Sequence, residues 1–476
     1  MKNKRRTRAA RIETGEDLHL EQLQENKMGT MPMGQLIASM AMPAIISMLI
    51  QALYNIIDSI FVAQIGQEAL LSVSLAFPLQ ILQIAVAVGT GVGLNSLISR
   101  RLGEGEHEAA GRAASHGIVL AGISGLVFLL LAIFITKPYF HAFTNDPVVF
   151  AGGVTYTHIA IGLSVFCMIS ISAEKCVQAT GNMVMPMLQN LAGAITNIIL
   201  DPILIFGLLG APKLGIAGAA IATVIGQSVS MVIGLIVLLH KKHAFTVTLR
   251  HFRMRAHTVR EIYQVGIPSI VMQAIASIMV TGMNAILNPL STMAVSVLGV
   301  YFKLQSFVFM PVFGLTQGAM PVMGYNFGAR NRHRLQGAYR ITFIAAFCIM
   351  LAGTVLFWAA PQELLRMFNA TDEMFAVGVP ALRLISLSFV GAAFGIVNST
   401  VFQAVGHGVS SLIVSVARQL LVILPVAFML ARLGGLTVVW FAFPIAEIVS
   451  FLLSFWLLAR IYHREIKPLD APQIGE

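Results

Sequence analysis

Apolar residues in this chain run in long unbroken stretches instead of alternating with polar ones. They fall near 35–60, 70–99, 113–136, 152–175, 184–208, 214–239, 260–287, 293–322, 339–360, 378–402, 409–431 and 437–461. A helix needs about 20 apolar residues to cross the hydrocarbon core of a bilayer. The pattern therefore predicts twelve transmembrane helices and an all-α polytopic protein. Charged or Gly/Pro-rich breaks separate the stretches, among them RRLGEGEHEAAGR, KPYFHAFTNDP, LLGAPKLG and YNFGARNRHR.

Composition agrees. Of 476 residues, 57% are hydrophobic and 11% charged, whereas a soluble domain carries about a quarter charged residues. This excludes an ordinary soluble enzyme and a disordered chain. The net charge of +10 is unevenly placed. If the N-terminus is cytoplasmic, that side carries 24 Lys and Arg and the opposite side five, namely Lys137, Lys213, Arg366, Arg383 and Arg432. The bias predicts a cell (inner) membrane protein with both termini in the cytoplasm. The positive charge thus reads as membrane orientation, not as nucleic-acid binding. Residues 1–30 are polar and basic and read as a disordered tail. No cleaved signal is expected, because the first apolar stretch begins late and is too long. The three cysteines, Cys167, Cys176 and Cys348, have neither metal nor disulfide spacing.

Sliding the chain by 225 residues matches it to itself. Pro43 meets Pro268, Gln80 meets Gln305, Gly89 and Gly93 meet Gly314 and Gly318, and Gln178, Ala179 and Gly181 meet Gln403, Ala404 and Gly406. A six-span unit is even, so the second copy enters the membrane in the same direction as the first. Parallel repeats of this kind form transporters with two rocking halves. The expected organisation is a tail at 1–32, an N-lobe at 33–240, a cytoplasmic linker at 241–259, a C-lobe at 260–463 and a C-terminal tail at 464–476. The linker histidines (His240, His243, His251 and His257) read as solvated.

Charge inside a membrane span is costly and marks function by default. Asp58, Asp201 and Glu447 lie well inside spans, while Glu174 lies nearer a cytoplasmic end and is expected to meet water. Asp58 follows Pro43, and Asp201 follows Pro186, by 15 residues. At 1.5 Å per residue both lie about 22 Å beyond that proline, at matched depth in spans 1 and 5. Gln51, Tyr54 or Asn55, and Asp58 share one helix face, as do Asn190, Asn197 and Asp201. Two polar stripes at one depth predict a hydrated pocket in the N-lobe. The competing reading is that each Asp only locks helix packing. Lys303, Arg418 and Glu447 lie in spans 8, 11 and 12. Arg418 and Glu447 can form a charge pair joining helices, or any of the three can touch substrate.

The segments QALYNIIDSIFVAQIG, NIILDPILIFG and KLQSFVFMPVFGLTQGAMPVMGYNFGARN resemble the multidrug and toxic compound extrusion (MATE) family over about residues 33–463. The resemblance implies a secondary antiporter that exports small organic, often cationic compounds in exchange for H+ or Na+. It implies a first-lobe cation site of Asp58, Tyr54, Asn197 and Asp201. Gln51, Asn55, Asn190, Gln80, Gln305 and Lys303 are candidate cavity contacts. Spans 7 and 10 lack the acids that one branch of the family carries there. Thr223 is the sole nearby candidate for a span 6 threonine that some members add.

The expected mechanism is alternating access of the two lobes, with the ion gradient as the energy source. No G-x-x-x-x-G-K-[ST] run occurs, so no nucleotide cofactor is expected. GTGVGLNS lies inside span 2 and reads as helix packing. Most of the 24 methionines read as ordinary packing, with a loosely specific pocket as the second use. Prolines 78, 289, 311 and 321 read as kinks or helix ends. The expected partners are small-molecule drugs or metabolites and the lipid bilayer, in a chain taken as monomeric. The rival function is a flippase for a lipid-linked precursor. A membrane enzyme is disfavoured, because neither D-D-x-x-D nor H-E-x-x-H is present.

Overall fold

The computed structural model describes residues 26–240, 245–248, 252–368 and 370–470. Ten helices are long and apolar enough to cross a membrane. Two further helix pairs, each bent by 43°, bring the number of spans to twelve among the described residues. The N-lobe comprises α1 (Met33–Ile65), α2 (Gln67–Gly103), α3 (His107–Phe143), the bent pair α4 (Pro147–Ala160) and α5 (Val165–Ala179), α6 (Val184–Phe206) and α7 (Ile216–His240). The C-lobe comprises α8 (Ala256–Leu287), α9 (Thr292–Gly328), α10 (Arg332–Ala359), the bent pair α11 (Asp372–Ser386) and α12 (Ser388–Ala404), α13 (Gly408–Val416), α14 (Leu424–Val439) and α15 (Ala442–Ile461). A π-helical turn, Ala417–Ile423, joins α13 to α14.

The 225-residue offset carries the helix ends with it: α2 and α9 start and stop in register. The turns repeat as well. Gly181 and Gly406 both have left-handed backbone, φ +88° and +94°, which costs glycine little and other residues more. Local chemistry sets other ends. Asp146 caps α4 by accepting from Val148 N and Val149 N, with Pro147 in the first turn. Ser291 and Thr371 cap α9 and α11. Such caps satisfy backbone donors that a helix start leaves open.

Both lobes meet at the face where α1 begins and α15 ends, called here the terminal face. Gly89 and Gly93 of α2 lie against Ile262–Ile270 of α8; a Cβ on Gly89 would sit 2.8 Å from Ile270 N. Their repeat mates Gly314 and Gly318 of α9 lie against α1, where a Cβ on Gly318 would sit 2.8 Å from Ala41 Cα. Backbones this close require small residues. The packing role expected for GTGVGLNS is therefore observed, as a crossing between lobes.

Three segments expected to be tail or solvated linker are packed instead. A one-turn helix, Lys27–Thr30, buries Met28 completely. Met28 O accepts from Asn326 Nδ2 and from Arg334, both at 3.0 Å, while Asn26 Nδ2 donates to Thr180 O at 3.4 Å. The segment thus straps both lobes together at the terminal face. In the linker, Phe245 is buried, Thr248 N donates to Ser115 Oγ (3.3 Å) and Arg255 N donates to His116 Nε2 (2.9 Å). At the C-terminal end, Ile466 is buried and Glu465 pairs with His407 at 2.8 Å. Of the linker histidines, His257 is solvated, with 78% of its side chain exposed beside Glu261. His243, His251 and the side chain of His240 lie outside the described residues, as do 1–25 and 471–476. Hydrophobic periodicity missed these contacts because each uses one or two apolar anchors and otherwise polar contacts, through the main chain or, for Glu465, a side-chain pair.

Candidate functional site

Alanine, isoleucine and leucine carry α1 and α6 through the lobe, and their polar residues fall on facing stripes. Asp201 is fully buried and Asn197 nearly so; Asp58 and Tyr54 are half-buried. The Asp58 and Asp201 carboxyls lie within hydrogen-bonding reach of each other. Asn197 Nδ2 donates to Asp201 Oδ1 (3.5 Å) and to Thr223 Oγ1 on α7 (3.4 Å). Tyr54 lies beside Thr223. Gln80 Nε2 on α2 donates to the Tyr156 hydroxyl on α4 at 3.0 Å, and that ring sits within electrostatic range of both acids.

Two oxygens in this group, Asp201 Oδ2 and Asn197 Oδ1, are sealed from solvent with no hydrogen-bond partner. Facing carboxylates at such range repel unless a proton or cation offsets the charge. The donor set is all oxygen, from two carboxyls, an amide and a hydroxyl, which suits a proton or a small hard cation. Thr223, unmatched with confidence by sequence, proves to be the group that ties α7 to this centre.

The repeat shows why the centre exists once. Position by position, Tyr54, Asp58, Asn197, Asp201 and Thr223 correspond to Met279, Met283, Val422, Val426 and Ile448 in the C-lobe. Met279 and Met283 are buried in the apolar C-lobe core, with Val422 and Val426 packed against it.

Other candidates scatter. Gln51 and Asn55 are exposed, and Gln305 is half-buried. Lys303 is exposed, its Nζ 6.0 Å from the Phe368 ring centroid. Arg418 and Glu447 do form a charge pair, at 2.9 Å. Asn190 does not join the acid centre; it donates to Ser47 Oγ (2.9 Å) and to Glu174 Oε2 (3.3 Å).

Glu174 overturns its expectation of meeting water. It is 8% exposed, beside Lys175 at 5%. Lys175 Nζ donates to Gln178 (2.9 Å), to Gln317 of the C-lobe (3.1 Å) and to Glu174 (3.3 Å), and Gln178 donates to Glu174 at 2.7 Å. This network crosses the seam between lobes. Sequence missed it because Lys175 sits near a span end, where basic residues usually meet water. The signal available was a Glu-Lys pair with Gln one turn on, flanked by Cys176 and Val177.

Comparison with known proteins follows the same repeat. The MatE family model matches residues 43–203 and 268–429, two segments that start 225 residues apart. The chain is 26% identical over 431 residues to the multidrug export protein MepA of Staphylococcus haemolyticus, covering 89% of this chain and 93% of that one. It is 26% identical over 448 residues to an FAD transporter of Shewanella oneidensis, covering 90% and 95%. A solved multidrug resistance MATE transporter in an outward-facing conformation superposes with a TM-score of 0.86 at 26% identity, covering 94% of this chain and 99% of that one.

Proposed function

Because the chain belongs to the MatE family, we propose that it exports small organic, often cationic molecules from the cytoplasm in exchange for H+ or Na+, by alternating access of its two lobes. The observation that carries this reading is the Asp58–Asp201 contact, with Asp201 Oδ2 and Asn197 Oδ1 left unpartnered beside it. A group of oxygens that needs one more positive charge is what a coupling site requires.

The Lys/Arg bias assigns the terminal face to the cytoplasm, in a cell membrane that the protein crosses many times. With the lobes joined at that face, the state described is outward-facing. In this state Asp58 and Asp201 take up the ion from outside, their repulsion falls, and α1 and α6 draw together. Cargo leaves outward, the lobes rock, and the ion departs to the cytoplasm as new cargo enters. When the cargo carries no net charge, one charge moves down the membrane potential and contributes about 2.3 kcal/mol per 100 mV, which drives export against a concentration ratio of roughly fifty; a monocation exchanged for one ion is driven by the ion gradient alone. The names of the similar MepA and FAD transporter proteins support small-molecule cargo. The flippase reading would favour a cavity rich in cations; a single cation, Arg418, lines the C-lobe cavity.

The test is transport in proteoliposomes under imposed pH or Na+ gradients. Wild type should concentrate a cationic dye, and Asp58→Asn and Asp201→Asn should each cut uphill export at least about tenfold, while downhill exchange persists. Normal uphill export by both variants would remove the acids from coupling.

A further inference from the structure

The repeat places a second polar site opposite the Glu174–Lys175 network. Glu174, Lys175, Gln178 and Asn190 correspond to Ser399, Thr400, Gln403 and Ser415. In the N-lobe these positions close on themselves as a buried ion pair. In the C-lobe they line an open cavity of about 230 Å3 whose one charged wall is Arg418. Arg418 stands where the N-lobe has Gly193, and the π-helical turn Ala417–Ile423 begins beside it. Such turns re-aim side chains and recur at functional sites.

The polar groups of this cavity are unfinished. Arg418 spends one guanidinium nitrogen on Glu447 Oε1 at 2.9 Å, and its other donors make no hydrogen bond among the described residues. Ser450, 1% exposed and lining the cavity, has a hydroxyl with no hydrogen-bond partner. A buried polar group without a partner costs about 1–3 kcal/mol, so an occupant that supplies acceptors gains at both places. Glu447 does not line the cavity, so the cavity meets the cation of the pair and not the anion.

We propose that this C-lobe cavity is a cargo subsite for an organic carboxylate, held by Arg418 and Ser450. The inference rests on the export reading and specifies its cargo. A guanidinium takes a carboxylate through parallel hydrogen bonds. The Arg418–Glu447 pair is neutral, so a monoanion brings one net charge into the span, whereas a phosphate dianion brings two at greater cost. Phe313 on the cavity wall suits an aromatic ring attached to that carboxylate. A zwitterion, with its cationic end elsewhere in the cleft, meets this demand best.

The test compares a carboxylate-bearing xanthene dye with its methyl ester, in proteoliposomes under the gradients above. The variants are Ser450→Ala and the double variant Arg418→Gln with Glu447→Gln, which removes both charges and leaves no acid unpaired. Wild type should export the acid, and its acid-to-ester export ratio should fall about tenfold or more in the double variant, as expected for losing a hydrogen bond to a charged group. Ser450→Ala should lower the ratio severalfold. An unchanged ratio, with both dyes slowed alike or neither slowed, would overturn the subsite. Wild type moving the ester but not the acid would also overturn it, leaving export intact. Wild type moving neither dye under any gradient would overturn the export reading itself, and the subsite with it.

Discussion

Lys175 shows how much a single buried charge can decide. Its ammonium is held by Glu174, Gln178 and Gln317, three acceptors drawn from both lobes. Removing one member of a buried pair strands the other, at about 3–5 kcal/mol. Lys175→Met should therefore lower the thermal midpoint of the detergent-solubilised protein by several degrees. The double variant with Glu174→Gln should recover most of that loss; equal midpoints for wild type and Lys175→Met would mean the network carries no load. At the acid centre, Thr223→Val keeps the volume and removes the hydroxyl that accepts from Asn197. The ion concentration for half-maximal transport should rise about threefold to tenfold, since one hydrogen bond is worth about 1 kcal/mol. These residues differ in how far sequence revealed them. Asp58 and Asp201 stood out because an acid in a span is conspicuous wherever it points. Glu174 and Lys175 looked like a span end because burial there depends on α9, which lies more than a hundred residues away.

Among elements, the seam of α1 with α9 and α2 with α8 holds the two lobes together at the terminal face. Its glycines permit backbone contact, so Gly93→Val or Gly318→Val should force the crossing apart. Each variant should bind less thermal protection and leave the terminal face accessible to thiol labelling at a cysteine placed at Ala41; labelling equal to that of the parent would show the seam tolerates bulk. The strap at Lys27–Thr30 belongs to the same closure. Arg334 donates to Met28 O and Met31 O at 3.0 and 2.8 Å, so Arg334→Ala should raise labelling at that face by severalfold, because two hydrogen bonds of about 1 kcal/mol each are lost. The crossing glycines were visible as a repeated pattern in span 2 and span 8. Their partners were not, because glycine spacing reports that something comes close without saying what.

At the scale of the molecule, the two lobes share a backbone plan and divide the chemistry. The N-lobe carries the acid centre, and the C-lobe fills the matching positions with methionine, valine and isoleucine. If the lobes rock as proposed, a covalent tie at the terminal face should stop them. Ser99 Oγ lies next to the position a Cβ on Gly324 would take, near enough for a disulfide between cysteines at the two sites. In a background with the exposed Cys348 changed to serine, oxidation of Ser99→Cys with Gly324→Cys should abolish transport, and a reductant should restore it. Full transport by the oxidised protein would show that this face need not open.

Sequence by itself determined the spans, the doubled unit and the places of the two aspartates along their helices. Bilayer thickness, helix rise and loop charge are local quantities that can be counted along a chain. Tertiary structure alone decided which polar faces meet: that Asp58 reaches Asp201, that Thr223 joins them, that Glu174 and Lys175 turn inward, and that Arg418 opens on a cavity while its partner Glu447 is sealed. Those outcomes depend on the rotation of each helix about its own axis and on its distance from neighbours. Both are set by packing of side chains far apart in the chain, and in an apolar span many rotations look alike to any local pattern.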